Sequence, residues 1–85
     1  MFINRTKDGR NNLCGRVIAR KRMELKLSQR ELADQLQLYG LDVDKNAIQR
    51  IEAGKRFVID IELAAFAEVL NISLDELLRH DESHT

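Results

Sequence analysis

An all-α fold is what this 85-residue sequence predicts, and three features predict it. There is no proline and there are only four glycines, so little interrupts a helix. β-branched runs are nearly absent beyond Val58-Ile59. Apolar residues recur at helical spacing in successive segments, several of them opened by a capping residue. With 44% apolar and 33% charged residues the composition is that of one small globular domain. A core of this size is marginal, and homodimerisation would add to it.

Residues 1–11 read as a flexible N-terminal arm, polar apart from Phe2 and Ile3. Periodicity begins near Leu13. Cys14, Val17, Ile18 and Leu25 form one apolar stripe, and Arg16, Arg20 and Arg22 fall largely outside it. Gly15 inside this helix costs about 1 kcal/mol relative to alanine, which points to close approach of a neighbouring helix. Cys14 lies on the stripe and reads as a small core residue.

Ser28 and Glu31 form an S-x-x-E capping box, after which Leu32, Ala33 and Leu36 face inward. The helix is expected to stop at Gly40, which tolerates the left-handed conformation, with Leu41 folding back over its end. Asp44 fits as N-cap of the next helix, with Val43 and Ile48 as its hydrophobic staple. Ile48 and Ile51 point to the core, leaving Lys45, Asn46, Gln49 and Arg50 on another face. Asn and Gln can bond adenine bidentately and Arg or Lys can bond guanine, so this face suits a DNA groove. An ordinary solvated face is the alternative. Gly54 closes the helix and leaves Lys55 and Arg56 at its C-terminal end, where they complement the dipole or reach a DNA backbone. Gln29 and Arg30, in the first turn of the preceding helix, are placed to meet phosphate.

Asp60 is the expected N-cap of a helix to about Leu70, with Leu63, Ala64, Phe66, Ala67 and Leu70 inward. Ser73 and Glu76 repeat the capping-box pattern before Leu74, Leu77 and Leu78. The acidic Glu62, Glu68, Asp75 and Glu76 should orient these helices away from DNA. Residues 12–79 thus form the folded domain, and residues 80–85 read as a flexible C-terminal tail.

The order S-Q-x-E-L-A, then V-D-K-N-A-I-Q-R-I-E-A-G-K-R, then L-x-x-F-A-x-x-L-N-I-S-L-D-E-L resembles the Cro/phage-repressor type (XRE family) of helix-turn-helix domain, from about Leu13 to Leu78. The resemblance implies a compact five-helix bundle of the lambda-repressor-like type, whose second and third helices form the DNA-reading pair. It implies base reading by Lys45, Asn46, Gln49 and Arg50. Gln29 matches the family's polar residue at the start of the second helix, and Glu52 and Gly54 match its helix-ending E-x-G. The stretch Gln37-Leu38-Tyr39-Gly40-Leu41-Asp42 departs from the pattern, being about five residues longer than the usual tight turn. It either bulges outward or displaces the third helix. Tyr39 and Leu41 read as packing for the longer turn, with a partner contact as the alternative.

Charge is distributed unevenly in a chain of zero net charge. Residues 1–30 carry nine basic and two acidic side chains, residues 31–59 four and five, and residues 60–85 one and seven. Local rather than total charge governs nucleic-acid binding, so neutrality does not exclude it. No apolar stretch approaches the roughly 18–20 residues that span a bilayer. The polar N-terminus lacks a secretory apolar segment and the single Cys14 cannot form an internal disulfide, so the cytoplasm is the expected location. His80 and His84 have i, i+4 spacing but lie in the polar tail and are read as solvated rather than as a metal site. There is no phosphate-binding glycine loop, no cysteine pair and no nucleophile–base set, so no cofactor, metal or enzymatic activity is expected.

The leading functional expectation is a sequence-specific transcriptional regulator, a repressor, binding double-stranded DNA as a homodimer. One such module covers on the order of 600–1,000 Å² of DNA, so two half-sites supply the needed affinity. The alternative is a helix-turn-helix fold acting on a protein partner, as an antitoxin or regulatory subunit does.

Overall fold

The computed structural model describes residues 4–79. It contains five helices and, among the described residues, no strand: α1 (Gly15–Glu24), α2 (Gln29–Leu38), α3 (Lys45–Glu52), α4 (Asp60–Leu70) and α5 (Leu74–Leu77). The radius of gyration is 12.4 Å, close to the ~12 Å expected of a compact chain of this length. The segments expected as Phe2 and Ile3 and as the tail with His80 and His84 lie outside the described residues.

Local chemistry sets the helix ends. Ser28 Oγ accepts from the Glu31 backbone N–H at 3.0 Å, and Glu31 Oε1 accepts from the Ser28 N–H at 2.8 Å, closing the expected box. Asp44 Oδ1 caps α3 through the Ala47 N–H at 2.8 Å. Ser73 Oγ accepts from the Glu76 N–H at 3.0 Å. Asp60, in contrast, is the first helical residue of α4, and Ile59 is the cap. There the reciprocal half of a capping box operates alone: the Ile59 N–H donates to Glu62 Oε1 at 3.1 Å.

α1, α2 and α3 end in Schellman turns, with Leu27, Leu41 and Lys55 N–H groups donating to Arg22, Leu36 and Arg50 carbonyls. The left-handed positions of these three turns are Lys26 (φ 60°), Gly40 (φ 104°) and Gly54 (φ 79°). The turn at Lys26 diverts the chain at the end of the apolar stripe of α1, and Leu25, expected on that stripe, is exposed.

The core is built from all five helices. Ile18 of α1, Leu32 and Leu36 of α2, Ile48 and Ile51 of α3, Phe66 and Leu70 of α4 and Leu77 of α5 are fully buried. Cys14, Ala33, Val43 and Ala65 complete it. On α4 Ala67 is buried as expected, joined by Ala65 rather than Ala64, which is exposed; Leu74 and Leu78 are exposed as well. α3 packs on α1 and α2, and α4 packs on α1, α2 and α5. Gly15 is needed where α1 meets α3, because a Cβ there would collide with the Ile51 carbonyl oxygen and with Asn12 Oδ1. The long α2–α3 connection is pinned at both ends: Gln37 Nε2 donates to the Val43 carbonyl at 2.8 Å, and Val43 is buried.

Candidate nucleic-acid interface

α3 spends its inward side on Ile48 and Ile51, with Ala47 half-buried. At ~100° per residue, the opposite side carries Asn46, Gln49 and Ala53 as a central stripe, flanked by Lys45 and Arg50. All five are exposed. No ion pair within 4.0 Å engages Lys45 or Arg50 among the described residues. The four side chains expected to read bases therefore share one solvent-facing surface with an alanine in line with them.

A polar cluster fastens this helix to the two before it. Glu52, at the last turn of α3, accepts from Arg22 Nε at 2.7 Å, from Arg22 Nη2 at 3.1 Å and from Gln29 Nε2 at 3.0 Å. Arg22 Nη1 reaches the Leu27 carbonyl at 2.8 Å. One guanidinium thus ties the end of α1, the α1–α2 turn and α3 together. Hydrogen bonding to Glu52 raises the Arg22 pKa against the opposing effect of burial.

The residues expected to hold phosphate divide into two kinds. Arg30 and Lys55 are exposed and form no ion pair among the described residues. Gln29 is half-buried with its amide donating to Glu52. Arg56 makes a two-point pair with Glu62, Nη1 to Oε1 at 3.0 Å and Nη2 to Oε2 at 2.9 Å. That pairing raises the Arg56 pKa, and it explains how Glu62, one of the acidic side chains expected to turn these helices away from DNA, can be buried.

A further set of residues gave no signal strong enough to single it out in the sequence. Arg10, Asn11 and Asn12, whose first two fall in the segment expected as an arm, lie against the end of α3. Asn11 N–H donates to the Gly54 carbonyl at 2.7 Å and Arg10 Nη2 donates to the Glu52 carbonyl at 2.7 Å. Asn12 Nδ2 donates to the carbonyls of Ile51 (3.0 Å) and Arg56 (2.7 Å), and its Oδ1 accepts from the Gly15 N–H at 2.9 Å. The only local hint is an asparagine three residues ahead of a helix start.

A helix-turn-helix family model matches residues 18–77, which is most of the chain. The chain belongs to that family, the XRE type of DNA-binding regulators. A comparison with curated proteins and one with solved structures each return no match. No helix among the described residues is long and apolar enough to cross a membrane.

Proposed function

We propose that this protein is a sequence-specific transcriptional repressor that reads the major groove with α3, as a cytoplasmic homodimer. The observation that carries the reading is the exposed stripe of α3. Asn46 and Gln49 stand there exposed, their side-chain amides without a hydrogen-bond partner among the described residues, between two cations that form no ion pair among those residues. Amide side chains in that position supply the paired donor and acceptor that an adenine edge needs, and Lys45 or Arg50 supplies donors for guanine. Arg30 and Lys55 are the proposed phosphate contacts, with Gln29 and Arg56 contributing through whatever donors their Glu52 and Glu62 partners leave over.

The test is enrichment of binders from a random duplex pool at two salt concentrations. An enriched inverted repeat supports the dimeric reading, and its half-site spacing reports the dimer geometry. In the recovered site, Gln49→Ala or Asn46→Ala should relax base preference, whereas Lys55→Ala should weaken all sequences alike and reduce the salt slope by about 1. Unchanged preference in both amide variants overturns the base-reading assignment.

One observation favours a second reading, a protein-interaction module. Leu38 is 90% exposed and Tyr39 55% exposed at the end of α2. A single stoichiometric protein partner together with no enrichment of any duplex would support it.

A further inference from the structure

A helix C-terminus leaves its last carbonyls without intrahelical donors. At the end of α3 the Schellman turn serves Arg50, through the Lys55 N–H. Ile51 also accepts from the Gly54 N–H of the turn at 3.0 Å, and one tripeptide outside the helix adds donors to it and to four of the carbonyls that follow. Asn12 takes Ile51 and Arg56, Arg10 takes Glu52, and Asn11 takes Gly54 through its backbone and Lys55 through its Nδ2 at 3.1 Å. The fit is steric as well as polar. A Cβ on Gly54 would stand 2.7 Å from Arg10 Cζ, and one on Gly15 would stand 2.6 Å from Arg10 Nη2. The Arg10 guanidinium therefore lies between two glycines that make room for it. Asn12 is only 8% exposed and has both amide hydrogens and its oxygen engaged. All three residues precede the 18–77 stretch matched by the family model.

From this arrangement we infer that Arg10, Asn11 and Asn12 are positioning residues for DNA binding: they hold the 51–56 turn in the conformation that presents Lys55 to the phosphate backbone. The inference rests on the DNA-binding reading above. Asn11 grips the Lys55 carbonyl itself, and Asn12 grips the carbonyls on either side of the turn, so both asparagines act through Lys55. Neither side chain carries charge, and neither need touch the nucleic acid.

The experiment is a double-mutant cycle on affinity for the duplex recovered by the wild-type protein, with Asn12→Ala and Lys55→Ala as its arms. Asn12→Ala removes three hydrogen bonds; if it does not fold, Asn11→Ala takes its place, since that variant loses only one exposed bond. The expected result is an affinity loss of about tenfold for the asparagine variant, the scale of one hydrogen bond, at unchanged base preference. Added to Lys55→Ala, it should cost little more. Three outcomes overturn the assignment: unchanged affinity in the asparagine variant, losses that multiply in the double variant, or a loss that merely tracks the unfolded fraction seen by circular dichroism. Failure of the wild type to retain any duplex overturns the DNA-binding reading and this inference with it. Retention with multiplying effects overturns the positioning role alone.

Discussion

Replacing Glu52 by alanine should be the most damaging single change to a polar side chain in this domain. The carboxylate receives three hydrogen bonds, two from Arg22 and one from Gln29, with the Arg22 and Glu52 side chains 14% and 9% exposed. After removal Arg22 keeps only the Leu27 carbonyl, and its charge stays largely out of water. Breaking a buried pair from one side costs about 3–5 kcal/mol; the residual exposure of Arg22 places the expectation near the lower end, about 3 kcal/mol. A chain of 85 residues is expected to be stable by about 4–13 kcal/mol, so the loss is a large share of the total. In a domain this small it lowers Tm by roughly 12–24 °C. Urea unfolding at neutral pH measures it as a fall in midpoint at constant slope. Glu52→Gln, which keeps one acceptor and most of the volume, should lose less. A loss under about 1 kcal/mol for Glu52→Ala, the range of exposed ion pairs, refutes the view that this cluster behaves as buried.

Lys26 occupies the left-handed region at φ 60° without a side-chain reason to do so; Lys26→Gly should stabilise by about 0.5–1 kcal/mol, read as a rise in Tm. Burial pushes the Cys14 thiol up to about 11, so native protein at pH 8 should resist iodoacetamide and become labelled only once unfolded; rapid native labelling contradicts this. Burial raises the Glu62 carboxyl pKa, but the Arg56 guanidinium and the Ile59 N–H outweigh it and hold the group below its ordinary 4.5. The stabilisation from Glu62 is then fully present above the ordinary carboxylate range and lost as pH falls through the lowered value. Glu62→Gln should remove that acid-side part of the stability curve, measured by urea midpoints from pH 6 down to pH 3.

What could be read from the sequence is what local chemistry decides. Ser28, Asp44 and Ser73 cap through bonds to residues three positions on, and Gly40 and Gly54 mark helix ends by a backbone preference, so neighbours in sequence suffice. The outward placement of Lys45, Asn46, Gln49 and Arg50 follows from period alone once Ile48 and Ile51 are inside. Asp60 misleads because the rule favours a side chain that can accept, whereas α4 is capped from within by Glu62, itself held by Arg56. Leu25 misleads because a Schellman turn at a lysine has no composition signal. Partners far apart in sequence leave no trace: Gln29 and Arg22 find Glu52 across 23 and 30 positions, and Asn12 finds Ile51 across 39. On α3 the sequence thus shows which side chains face out, but nowhere does it show that Arg22, Gln29 and Asn12 are already engaged.

That engagement bears on how a chain of zero net charge can meet a polyanion. Glu52 sits on the Lys45 edge of the outward face of α3, where a bare carboxylate would repel phosphate. Arg22 cancels it from behind at 2.7 Å. The pair therefore holds α1 to α3 and also removes an anion from the border of the proposed reading surface. The two roles separate in a comparison of Arg22→Gln with Glu52→Gln, each of which breaks the pair. If only folding matters, both variants weaken DNA binding to the same degree. If the charge matters, Arg22→Gln leaves Glu52 uncompensated and should bind about two- to fivefold more weakly than Glu52→Gln at low salt. The gap should close as salt shortens the Debye length below ~10 Å. Equal affinities at low salt, in variants with matched folded fractions, leave the pair a structural fastening and nothing more.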